Sequence, residues 1–221
     1  MDKYMSAHRA AQIVTVALIA TVVTQILYMA TLGGPQPADP AAGLTNADIA
    51  RYFTDRWSEV AIVWTTEAVA FAAIALGGLI AMVRGGGSRL AWAAIALAGM
   101  FNLVQIGIGL SLFKPVALAG EEHTWMFWLV VGGAFWFYFL AKVFVGLAAI
   151  GFGLSLLKTN KAMAAKVVSG IAMLAGLAAV LINVGALGAG MSLIFPAGAA
   201  GTVATVFAAI AGLMAAKRSE S

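Results

Sequence analysis

The 221-residue sequence contains no cysteine, which excludes disulfides, thiol redox chemistry, cysteine-ligated metals and a cysteine nucleophile. Histidine is nearly absent as well. His8 and His123 fall on opposite sides of the membrane in the topology developed below, so they cannot share a haem or a metal within one subunit. Neither stands at a spacing that would serve a nucleophile in a catalytic triad. Gly85, Gly86 and Gly87 lack the following lysine of a phosphate-binding loop and read as a tight turn. Charge is scarce too. Only 10% of residues are charged and 62% are hydrophobic, which leaves a water-soluble domain of this size without enough polar surface to cover its core.

What the sequence has instead is long apolar runs. Six of them, approximately 12–32, 60–83, 90–113, 134–157, 162–187 and 197–216, are each long enough to cross about 30 Å of hydrocarbon at about 1.5 Å per residue. The expected fold class is therefore all-α, a single polytopic transmembrane helix bundle over residues 1–221. The basic residues sit at helix ends rather than on one polar face, which argues against nucleic acid as a partner. Lys3, Arg9, Arg84, Arg89, Lys158, Lys161, Lys166, Lys217 and Arg218 gather on the side shared by both termini. The positive-inside rule makes that side cytoplasmic, in a bacterial inner membrane. The opposite loops carry Asp39, Asp48, Asp55, Glu59, Glu121 and Glu122. The first apolar run exceeds a signal-peptide core and is expected to stay as a helix.

Pro35, Pro37 and Pro40 end the first span and open an outer loop over 33–59. Within it, Thr45 and Asp48 have capping-box spacing, and Ile49, Tyr52, Phe53 and Trp57 recur at helical spacing. This predicts a short amphipathic helix, with Arg51 and Asp55 paired across one turn, acting as an interfacial anchor or a cover over the bundle mouth. Gly132-Gly133 is expected to bend or break the long segment 121–157, leaving Trp125, Phe127 and Trp128 in an aromatic belt. Small residues at packing spacing, Gly77 with Ala81, Ala172 with Gly176 and Gly185 with Ala189, predict close helix crossings. The triplets at 72–74 and 148–150 match across an offset of 76 positions, either as a duplication or by chance in so Ala-rich a chain.

Polar side chains inside the spans carry the functional reading, because hydrocarbon demands a partner for each. Gln25, Glu67, Gln105, Lys142 and Asn183 each lie sixteen or seventeen positions from the nearest cytoplasmic basic residue, roughly 25 Å along their helices. Asn102 shares a face with Gln105, and Tyr138 lies one turn from Lys142. These seven residues predict a polar layer in the outer third of the bundle, with Glu67 and Lys142 as a buried ion pair. The layer reads as interhelical hydrogen bonding or as a ligand pocket.

The first span, the run Leu44 to Arg51, the second span and Phe101-Asn102-Leu103-Val104-Gln105 resemble an uncharacterised bacterial family of six-helix membrane proteins. The resemblance implies topology and carries no activity or functional residue. The expected function is a non-enzymatic bundle that binds or conducts a small or lipophilic ligand through the polar pocket, with membrane lipids around it and no cofactor or metal. An accessory subunit of a larger complex or a homo-oligomer is the second reading. A lipid-modifying enzyme using Glu67 is the third.

Overall fold

The computed structural model describes residues 5–41, 43–85 and 88–218, with the side chains of 217 and 218 excepted. Lys3 and the Gly86-Gly87 part of the expected turn lie outside the described residues, as do the Lys217 and Arg218 side chains. Among the described residues every regular element is helical. In chain order they are α1 (Ala7–Thr31), α2 (Asn46–Asp55), α3 (Trp57–Val83), α4 (Arg89–Ile108), α5 (Lys114–Ala117), α6 (Thr124–Thr159), α7 (Met163–Ala189) and α8 (Ile194–Arg218).

Five segments are long and apolar enough to cross a membrane, and the last of them, Met163–Ala216, is folded in two. Its 54 residues run as α7, a 3-10 turn over Gly190–Leu193, and α8. Gly190 makes that fold possible: its φ of 66° is one that a side chain resists. The chain is thus an all-α integral membrane bundle built on six long helices.

Five of those helices form a closed ring. α1 packs on α3, α3 on α4, α4 on α6, α6 on α8 and α8 back on α1, while α7 lies against α6 and α8 from outside the ring. The ring closes where Thr15, near the start of α1, donates a 3.2 Å hydrogen bond to the Ala209 carbonyl near the end of α8. Both termini therefore share one end of the bundle, called here the terminal end, and α2 lies at the other, the distal end.

Burial follows from small residues rather than from amphipathic patterning, because lipid is as apolar as the core and leaves no polar face to mark the outside. At Gly99 an added Cβ would meet the backbone nitrogen of Ala75 at 2.7 Å, so α3 and α4 touch backbone to backbone. The α6–α7 crossing is tighter: Gly176 faces the Gly146 carbonyl and Gly146 the Gly176 carbonyl. The expected Gly185–Ala189 crossing does not form. Both residues are exposed, and only Leu193 approaches Gly185.

Two further expectations are corrected. Gly132-Gly133 does not break the helix, since α6 runs 36 residues without interruption. At about 1.5 Å per residue it is roughly 54 Å long, well beyond a membrane's hydrocarbon. Both glycines face open space, and no neighbouring helix presses there to open the backbone. The third span also runs further than 113, because a π-helical turn over Gly109–Phe113 joins α4 to α5 and extends the segment to Ala117. Gly109 makes room there for the Trp64 ring, which a Cβ would meet at 2.8 Å.

At the distal end α2 packs on α5 and on the start of α3. Its capping box is complete: Thr45 Oγ1 accepts from the Asp48 amide, and Asp48 accepts from the Thr45 amide at 3.1 Å and the Thr45 hydroxyl at 2.7 Å. Asp48 also accepts from the Ala38 amide at 3.2 Å, tying the proline loop to the helix. Arg51 pairs with Asp48 at 2.6 Å, one turn back, and not with Asp55. Ile49, Tyr52 and Phe53 are buried in one cluster with Val60, Phe113, Phe127 and Val131. Phe127 thus belongs to the core, whereas Trp125 and Trp128 are exposed as an aromatic belt requires.

Candidate functional site

The inner stripe of α3 runs Trp57, Val60, Trp64, Glu67, Phe71 and Ile74, at the alternating three- and four-residue spacing that keeps one helix face turned inward. That stripe delivers Glu67 to the bundle interior, 5% exposed. α6 delivers Lys142, 2% exposed, from across the ring. Glu67 accepts a 2.9 Å hydrogen bond from Thr24 Oγ1 of α1, while the same hydroxyl lies 3.1 Å from both the Ala20 and Thr21 carbonyls.

The two charges interact electrostatically but do not close on each other. No nitrogen–oxygen approach within 4.0 Å joins them, so the expected direct ion pair is absent. The reason lies on α8. The Lys142 stem is laid along Gly201, where an added Cβ would meet Lys142 Cδ at 2.7 Å, and the ammonium is carried over the Tyr138 ring, 5.1 Å from its centroid. Among the described residues no hydrogen-bond acceptor reaches Lys142 Nζ. Tyr138 is itself buried, with its hydroxyl against Gly198, one turn before Gly201 on the same helix.

The remaining expected members of the layer divide. Asn183 is fully buried on α7 and donates to the Ala179 carbonyl at 2.9 Å and across to Ala197 of α8 at 3.3 Å. Asn102 is buried on α4 and donates only to its own helix, to the Ala98 carbonyl at 3.0 Å. Both leave the side-chain carbonyl without a partner. Gln25 and Gln105 are half-buried and make no side-chain hydrogen bond among the described residues. The structure therefore draws Glu67, Lys142 and Tyr138 together, uses Asn183 as a helix fastener, and does not bring Gln25 or Gln105 into a shared hydrogen-bond network.

Sequence reasoning missed Thr24 and Tyr28, and assigned Tyr52 only to the apolar stripe of the outer helix. Tyr28 lies one turn above Thr24 on α1, within electrostatic reach of Glu67, and its hydroxyl stands 3.1 Å from that of Tyr52 on α2. Burial raises the Tyr52 hydroxyl above its ordinary value, which keeps it a neutral hydrogen-bonding group. Above the carboxylate the Trp64 ring packs on Tyr28 at 6.0 Å and edge-on to Phe113 at 5.4 Å. A usable signal was present: Thr24 and Tyr28 stand one turn apart on α1, beside Gln25, so a polar face of that helix was visible at this height.

Comparison of the chain with protein-family models, with curated proteins and with solved structures returns no match in any of the three.

Chemically, the site offers a carboxylate and an ammonium of opposite charge, held apart inside the ring, with a hydroxyl on each side and aromatic faces toward the distal end. Burying an ion costs several kcal/mol unless a partner answers it. Thr24 answers half of the carboxylate, and the ammonium has only a ring face.

Proposed function

We propose that this protein binds or conducts a small or lipophilic ligand through a polar pocket set between Glu67 and Lys142. One observation carries the reading: both charges are buried and neighbouring, yet neither is neutralised by direct contact with the other. A bundle whose polar residues served only to fasten helices would gain most by closing that pair, because an intramembrane ammonium without an acceptor is costly. A ligand seated between them supplies the missing partners. Of the two roles considered for α2, cover and anchor, its burial supports the cover, placed above the site at the distal end. The basic terminal end faces the cytoplasm of a bacterial cell in this reading, as the positive-inside rule requires.

The chain's lack of cysteine makes a clean test. Thr24→Cys in lipid vesicles should react with a small water-borne methanethiosulfonate, because a thiol there faces the pocket. Val23→Cys, on the lipid-exposed side of the same turn, should stay inert. An inert Thr24→Cys would sink the pocket. A cryo-EM structure in lipid adds an independent check: non-protein density between Glu67 and Lys142 supports the reading, and a closed, dry contact refutes it.

The accessory-subunit reading draws on Asn183, whose bond to Ala197 is the fastening that a scaffold uses. It also draws on a shallow lipid-facing depression on α3 lined by Ala61, Ile62, Thr65, Thr66 and Val69. Copurification of a stoichiometric membrane partner that protects Thr66→Cys from labelling would favour it over the pocket.

A further inference from the structure

The pocket's two poles restrict what it accepts. Glu67 and Lys142 carry opposite formal charges, so the empty site is net neutral. A singly charged ligand would satisfy one pole and leave an uncompensated charge in hydrocarbon, which the membrane interior penalises heavily. A net-neutral ligand with a pole at each end satisfies both.

The surroundings add polarity. At the Lys142 end the Tyr138 hydroxyl, which stands against Gly198, is a further group able to donate to an anion. At the Glu67 end the Thr24 hydroxyl divides its one hydrogen between Oε1 and two carbonyls of its own helix, which leaves the carboxylate able to accept from a ligand.

Resting on the pocket reading above, we infer that the ligand is a compact zwitterion with a primary ammonium directed to Glu67 and a phosphate or carboxylate directed to Lys142. A primary ammonium is specified because it keeps N–H groups to donate to the carboxylate, which a quaternary one lacks. Two sources share this chemistry, a phosphoethanolamine lipid headgroup and a free small zwitterion.

The experiment uses the full chain in phosphatidylcholine nanodiscs. For the lipid source, native mass spectrometry should show phosphatidylethanolamine retained in preference to both phosphatidylcholine and phosphatidylglycerol. For the free source, O-phosphoethanolamine should raise the melting temperature read by tryptophan fluorescence, while ethanolamine and inorganic phosphate separately should not. In either arm Lys142→Met and Glu67→Gln should each weaken binding roughly thirtyfold or more, the usual effect of cutting one side of a buried hydrogen-bonded charge pair. Where Glu67→Gln fails to fold, Thr24→Val takes its place, with weakening of about tenfold in the same direction. Equal binding of singly charged probes, or a preference unchanged in the variants, overturns the inference. A reactive Thr24→Cys combined with no binding of either zwitterion overturns the ligand class and leaves the pocket standing, whereas an unreactive one removes both.

Discussion

Replacing Gly176 by alanine tests the α6–α7 crossing, the tightest backbone approach in the bundle. The added Cβ would lie 2.5 Å from the Gly146 carbonyl oxygen, 2.9 Å from Ile150 Cγ1 and 3.1 Å from Ala149 Cβ. The oxygen belongs to a helix backbone and cannot rotate away, so ordinary contact requires α6 and α7 to part by about 1 Å. Overpacking of this kind costs about 1–3 kcal/mol, partly offset by roughly 0.5–1 kcal/mol gained when glycine leaves a helix. The expected net is a loss of about 1 kcal/mol at the midpoint of these ranges, and of at most about 2.5 kcal/mol. Gly133→Ala is the internal control: nothing stands within 4 Å of its Cβ, so the helix gain acts alone and the variant is more stable by about 0.5–1 kcal/mol. The assay is reversible unfolding in mixed micelles of mild detergent and SDS, followed by tryptophan fluorescence. Gly146→Ala, the reciprocal contact at 2.6 Å, should behave as Gly176→Ala does, and the double variant should fall short of the sum because one separation relieves both clashes. A Gly176→Ala as stable as wild type, or a Gly133→Ala clearly less stable, would refute this account of the crossing.

Three other outcomes follow from the structure. Thr45→Ala removes the cap of α2 and should destabilise the cover by about 1 kcal/mol, read as faster proteolysis at the distal end with the spans intact. The Asp48 carboxyl is held below its ordinary 3.8, chiefly by the Thr45 hydroxyl. Its contribution is therefore present above that value and is lost as pH falls through the lower folded value, so protection of α2 should be flat from pH 5 to pH 8, taken as a rough working range, and decline only below about pH 4. Phe152 is 1% exposed, edge-on to Trp92 at 4.6 Å, and Phe152→Ala should cost about 3–5 kcal/mol in the same unfolding assay.

The helices were legible because membrane insertion imposes a one-dimensional rule: about 20 apolar residues per crossing, with every backbone group satisfied inside its own helix. α2 was equally legible, since its capping box and apolar stripe are local. Glu67 and Lys142 could be named from sequence because charge in a span is conspicuous, and Tyr138 because it lies one turn from Lys142. Gln25 and Gln105 shared their height but not their neighbours, because counting residues along a helix fixes depth and leaves rotation about its axis open. Thr24 was overlooked for the opposite reason, as a hydroxyl in a span ordinarily bonds its own backbone and here also does so.

The sequence by itself determined that this is a helical membrane protein, roughly where its helices run, and which few polar groups must find partners within it. Only the tertiary structure decided which partners those are. The ring order of α1, α3, α4, α6 and α8, the seating of α2 on α5, and the gap between Glu67 and Lys142 depend on contacts between residues far apart in the chain. Glycines make room for several such contacts: Gly201 for the Lys142 stem, Gly109 for the Trp64 ring, and Gly146 and Gly176 for each other's backbone. In a chain with 25 glycines the composition announces that close approaches exist, and only the assembled helices show which glycines make them.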